Sequence, residues 1–181
     1  MDAKKIKTEL IRQKMSHFKG NLYHFFQVNF AYNSNKIEGS KLTEDQTEAI
    51  FDTHSFIPKT DDLIKLDDLL EVKNHFKLFD YMLDIVDEEI TLEMIIKMHS
   101  ILKRGTSDED NPLYNVGGFK KVPNIIEITN VIETSKPEDV IKDLNDLLKD
   151  YSSLKEVTLK NIIVSMLDLK EFTLLVMEMV E

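Results

Sequence analysis

No cysteine occurs in the 181 residues, which excludes disulfides and thiolate metal centres and favours a reducing compartment. Glycine and proline are scarce, at five and four copies. Gly105, Pro112, Gly117, Gly118, Pro123 and Pro137 fall in one window, so a single irregular segment flanked by helices is expected. Basic residues are outnumbered 23 to 33 by acidic ones, and the net charge of −10 disfavours broad attachment to nucleic acid or to an anionic membrane. The opening residues Met1-Asp2-Ala3-Lys4-Lys5 lack the apolar core of a signal peptide. No run approaches the roughly 20 apolar residues of a membrane span. A cytoplasmic location is therefore expected. There is no internal repeat and no low-complexity linker. With 42% apolar and 31% charged residues, the composition is that of one soluble globular domain.

What is present is helical patterning. Ile6, Leu10, Ile11, Phe18, Leu22, Phe25, Phe26 and Phe30 recur at steps of mainly three and four, with an interruption expected near Gly20-Asn21. His17 and His24 could share a helix face, but two imidazoles make no metal site without further ligands, so both read as packing or surface residues. Thr43-Glu44-Asp45-Gln46 spells a capping box, and its helix should end before Pro58. Asp61 or Asp62 should start a long helix whose buried stripe runs from Leu63 through Leu66, Leu69, Leu70, Phe76, Phe79, Met82 and Leu83 to Val86. Thr91 should cap the next helix. Taken alone, His99 on that helix is a hydrogen-bonded core histidine, and Asn74-His75 a polar pair on a helix side. Pro137, behind Ser135, opens a helix carrying Val140, Ile141, Leu144, Leu147, Leu148 and Tyr151.

Four stretches carry more than patterning. Asn33-Ser34-Asn35-Lys36-Ile37-Glu38-Gly39, followed by Leu42-Thr43, resembles the inhibitory signature [S/T]-x-x-x-E-[G/N] of Fic (Fido) proteins. Glu71-Val72-Lys73-Asn74-His75 resembles the E-[VI]-x-N-H run on that family's first core helix. Leu92 to Leu102 is similar to its L-x-x-L-H-x-x-L helix. Gly117-Gly118-Phe119-Lys120, leading through Val122 and Ile126 to Ile128, resembles the G-x-[YF]-R-x-x-x-V-x-I segment, with lysine at position 120 where arginine is usual. In that family this segment is a β-hairpin flap over the active site. The resemblance covers roughly residues 20 to 163 in order.

The family's catalytic signature, H-P-F-x-[DE]-G-N-G-R, is missing. After Val164 the apolar residues crowd together without a helical period, which suits neither an amphipathic helix nor a strand. Ser165–Glu181 admits a synonymous codon spelling that, with one T placed in front and read in the other frame, encodes F-H-V-R-F-E-R-I-H-P-F-G-D-G-N-G-R. If the family's following V-G is encoded as GTA GG, the frame used in this chain meets a stop codon directly after Glu181. A frameshift near Val164 is therefore expected.

The resemblance implies an all-α fold: a Fic-type helical bundle with one short β-hairpin, its last core helices missing or replaced. It implies one domain over residues 1–181, with N-terminal helices and the inhibitory motif in 1–55, the Fic core in 60–163 and a frameshifted tail in 164–181. Fic enzymes transfer AMP from ATP to protein hydroxyl groups. The motif histidine acts as general base, the G-N-G turn at a helix N-terminus binds phosphates, and the acidic residue holds Mg²⁺. A further arginine grips the γ-phosphate, and the inhibitory glutamate competes for it. By that resemblance Ser34, Glu38 and Gly39 are regulatory, and Gly118, Phe119, Lys120, Val122, Ile126 and Ile128 form a target-binding flap. No catalytic and no metal-binding residue is expected in this chain. Neither ATP nor Mg²⁺ is expected to act with it, although both serve the full-length family. The expected partner is a protein target, with self-association through the apolar tail as a further possibility. The alternative is a non-catalytic interaction module that binds a peptide through the flap, since a strand edge pairs with an extended chain.

Overall fold

In the computed structural model, the residues described are 3–16, 18–56, 58, 63–123, 125–127 and 131–154. Nine elements follow one another among them. Helices α1 (Ala3–Lys14), α2 (Leu22–Ile37), α3 (Glu44–Thr53), α4 (Leu66–Asp84), α5 (Leu92–Leu102) and α6 (Ser107–Asp110) precede strands β1 (Ile125–Glu127) and β2 (Val131–Glu133), and α7 (Val140–Ser152) follows. The elements group into two compact units, the first Met1–Glu88 with Ile101–Thr106, the second Glu89–Ser100 with the chain from Ser107 on. No helix among the described residues is long and apolar enough to cross a membrane.

The first unit is built on α2 and α4. The expected break near Gly20-Asn21 is there: Gly20 has φ +72°, and the Asn21 side chain accepts from the backbone N–H of His24 to cap α2. Leu10, Tyr23, Phe79 and Leu83 form one buried cluster, with Phe26, Phe30 and Phe51 packed against it. Leu42, Ile50 and Val72 form a second. The Thr43–Gln46 capping box at α3 is complete, with side chain and backbone bonded in both directions.

One boundary moves. The long helix begins at Leu66 behind Lys65, which supplies no side-chain cap; the expected caps Asp61 and Asp62 lie outside the described residues. Leu63 therefore precedes the helix, 87% exposed, and Leu66 in the first turn is 69% exposed, so neither belongs to the buried stripe. Val86 lies beyond the helix end and is exposed as well. The apolar spacing continues upstream of the true start without being buried there.

In the second unit, Thr91 accepts from the Met94 N–H as the cap of α5. Val140 and Leu144 on α7 are fully buried, with Leu92, Ile95 and Phe119 packed against them. Helical bonding there starts behind Pro137, where Asp139 and Val140 N–H both donate to the Lys136 carbonyl, so α7 grows from a tight turn. β1 and β2 pair antiparallel, with Ile125 opposite Glu133, Ile126 opposite Ile132 and Glu127 opposite Val131.

Candidate functional site

Ser34, Glu38 and Gly39 lie together at the C-terminal end of α2. Ser34 occupies the last turn, and its carbonyl accepts from the Glu38 N–H at 3.3 Å. Glu38 is the C-cap. Gly39 follows with φ +89° and donates to the Lys36 carbonyl, and the Ser40 N–H donates to the Asn35 carbonyl at 3.0 Å. These two crossed bonds are a Schellman stop, in which the residue after the cap must take a positive φ. Gly39 satisfies that geometry without a Cβ. The motif is thus a helix terminus, and it places the half-buried Glu38 at the negative end of the α2 dipole, where a carboxylate is disfavoured.

The E-x-x-N-H run has a local structural explanation in the first unit. Buried Asn74 on α4 donates to the carbonyls of Leu102 and Arg104, both at 2.8 Å, filling acceptors that the end of α5 leaves open. Lys103 pairs with Glu71 at 2.6 Å, and both side chains are largely buried. His75 is buried beside them, its ring edge-on to Phe30 at 5.4 Å. Burial, helped by the Lys103 charge, pushes the His75 imidazole down to about 4, so it is neutral at physiological pH. His99, in the second unit, is also buried.

In the second unit the hairpin residues divide into two groups. Residues 115–120 form a turn instead of a strand. Asn115 (φ +52°) and Gly117 (φ +77°) take left-handed conformations, Gly118 N–H donates to the Asn115 carbonyl, and the Asn115 amide donates to the Phe119 carbonyl. The Phe119 ring packs among Val140, Leu144, Leu92 and Ile95. Lys120 is buried, donates to the Thr134 hydroxyl at 2.6 Å, and is lowered from its ordinary pKa by desolvation. Val122 is half-buried in the loop that follows. Of the expected flap residues only Ile126 sits on a described strand; Ile128 lies outside the described residues.

A constellation that no local sequence pattern announces lies within the first unit. His24 on α2 points Nε2 at Asp52 Oδ1 of α3, 2.9 Å away, and at Glu48 Oε1, one turn earlier on α3, 3.8 Å away. Phe51 fixes the imidazole edge-on at 5.4 Å. The second Asp52 oxygen receives Lys19 at 2.9 Å. Burial works to raise the Asp52 carboxyl, but the hydrogen bonds from Lys19 and His24 outweigh it and hold the group below its ordinary value. His24 and Asp52 open onto a cavity of about 400 Å³ that Phe18, Tyr23, Phe76, Lys73 and Asp80 also line. His17, which could share a helix face with His24, lies outside the described residues. Only the i, i+4 spacing of Glu48 and Asp52 is visible in the sequence; the pairing with His24 is long-range.

No family model matches the chain, and no curated protein sequence does. Solved structures do. A Fic family protein from Desulfovibrio desulfuricans G20 superposes with a TM-score of 0.69 at 20% identity, over 92% of this chain and 49% of that one. A Fic domain containing signaling protein from Bacteroides thetaiotaomicron VPI-5482 gives 0.59 at 21% identity, over 81% of this chain and 56% of that one. The chain thus spans about half the length of either protein. Its helical bundle with one hairpin is the fold of the Fic domain proteins.

Proposed function

We propose that this chain is a Fic-family protein whose full-frame form transfers AMP from ATP to hydroxyl groups of a target protein, and that the 181-residue polypeptide itself is catalytically silent. The carrying observation is the coincidence of a Fic-type fold with Ser34, Glu38 and Gly39 at one helix terminus, where the signature requires its glutamate. The order of the remaining motifs supports the same reading, as does the synonymous codon spelling of Ser165–Glu181 whose shifted frame gives an entire H-P-F-G-D-G-N-G-R. In this reading Glu38 is a brake that competes with ATP phosphates for the arginine that follows the motif in the family. The general-base histidine, the phosphate-binding turn and the Mg²⁺-holding acid belong to the restored frame.

The test is AMP incorporation from labelled ATP by two purified proteins, the 181-residue chain and a version with the frame restored at codon 164. The 181-residue chain should label neither itself nor any target, the restored version should label, and Glu38→Gly in the restored version should raise the signal. Labelling by the unrestored chain, or none by the restored chain with Glu38→Gly, overturns the reading.

The hairpin supports a second reading, in which the chain binds an extended peptide without catalysis. Among the described residues the sheet has only two strands, so each presents one outer edge for pairing. Because Phe119 packs in a core cluster, substitutions there would disturb folding; proline placed within β1 is the cleaner probe, since it removes an N–H donor. Peptide capture that survives this proline would count against the second reading.

A further inference from the structure

We propose that His24, Glu48 and Asp52 bind a divalent first-row transition cation of the zinc type, joining α2 to α3. The site is independent of the nucleotide chemistry above, since none of its residues belongs to the inhibitory motif or the hairpin. Its three donor atoms, one imidazole nitrogen and two carboxylate oxygens, all lie within 4.8 Å of one another. Around a tetrahedral zinc, with bonds of roughly 2.0–2.2 Å, neighbouring ligand atoms stand about 3.3–3.5 Å apart. The separations of 2.9 Å and 3.8 Å from His24 bracket that value, so side-chain adjustment alone closes the site.

The donor set selects the class of ion. Calcium and magnesium favour all-oxygen shells, whereas an imidazole with carboxylates suits zinc and its neighbours. Two carboxylates and a neutral imidazole carry a charge of −2, which a divalent ion cancels. The ligands are also held in place. Phe51 packs edge-on against the ring, and Glu48 and Asp52 are one turn apart on one helix. Without an ion, Nε2 and Asp52 Oδ1 are hydrogen-bonded; in the metal-bound site Nε2 gives its lone pair to the ion, so the neutral imidazole binds as the tautomer with its hydrogen on Nδ1. Lys19 occupies Asp52 Oδ2 and its positive charge opposes the ion, but its side chain is 66% exposed and can turn to solvent. His24 and Asp52 face the cavity, so the open coordination position is reached from there by water or a small anion.

The experiment is titration of the metal-free 181-residue chain with Zn²⁺ by calorimetry, with the thermal midpoint followed in parallel and Co²⁺ absorption as a spectroscopic probe. One saturable site and a raised midpoint are expected. Glu48 is the clean position, because its side chain is 50% exposed and its substitution is expected to leave the fold intact. Glu48→Gln should weaken binding about tenfold or more, given that even groups supporting a ligand are worth 10–100-fold. His24→Gln should abolish the visible Co²⁺ bands, and Lys19→Met should tighten binding several-fold by removing the opposing charge. Absence of saturable uptake overturns the proposal. So does uptake that Glu48→Gln and Lys19→Met both leave unchanged, which would mark binding elsewhere on an acidic surface.

Discussion

Around α7, the wholly buried positions are Val140 and Leu144, set against Leu92, Ile95 and Phe119. Around α2, the buried positions include His24, Gln27 and Asn35, and the neighbouring α4 buries Asn74 and His75. The Gln27 amide shows how the second kind of packing works: it donates to the Tyr23 hydroxyl, to the Phe76 carbonyl and to Asp80, which also accepts from Tyr23. Burial and that carboxylate raise the Tyr23 phenol well above its ordinary pKa. An apolar stripe fixes which face of a helix is buried but tolerates small slides. A buried polar network penalises every register except the one that satisfies it.

The largest effects should come from truncating one anchor in each region. Leu144→Ala leaves a cavity at a fully buried site and should cost about 3 kcal/mol. Asn74→Ala removes far less apolar surface but strands two carbonyl acceptors, and should also cost about 3 kcal/mol. Urea unfolding of the full chain measures both. If Asn74→Ala costs under about 1 kcal/mol, the polar seam is decoration and the contrast between the regions fails.

The same contrast explains what is legible in the sequence. Val140 and Leu144 on α7, the capping box and the break at Gly20-Asn21 are local patterns, each readable because its cause lies within one turn of the residue concerned, whereas Ile141 on α7 is exposed. The start of α4 lies later than periodicity predicts, because the apolar spacing continues through Leu63 and Leu66 although both are exposed. The resemblance marks Phe119 and Lys120 as flap residues and says nothing of what packs on them. Their burial depends on α7 and on Thr134, at sequence distances no local pattern encodes. The triad of His24, Glu48 and Asp52 is hidden for the same reason: its halves lie on different helices.

A pH titration sharpens the contrast at a single residue. The His75 imidazole, pushed down to about 4 when folded, has an ordinary value near 6.5 when the chain unfolds. Between those values the unfolded chain binds more protons, so stability is full above about pH 6.5 and falls as pH drops toward 4. The loss from this group should approach about 3 kcal/mol. His75→Gln should flatten that part of the profile when unfolding free energy is measured across the window. A profile unchanged by the substitution would mean that His75 gains protonation without penalty, and that the region around α4 is wetter than its packing implies.

The smallest effect tests whether the end of α2 is read correctly as a helix stop. At φ +89°, Gly39 sits where a Cβ meets the preceding carbonyl, so Gly39→Ala should cost about 1 kcal/mol. Asparagine visits this conformation more readily than other side chains, so Gly39→Asn should cost clearly less. That ranking matches the glycine-or-asparagine choice at the last position of the signature. Backbone geometry thus accounts for this position on its own, and it does not account for the glutamate before it. Thermal unfolding of the three proteins decides the matter. Equal losses for alanine and asparagine would show that side-chain volume matters there more than φ, and would return Gly39 to the residues that need a functional explanation.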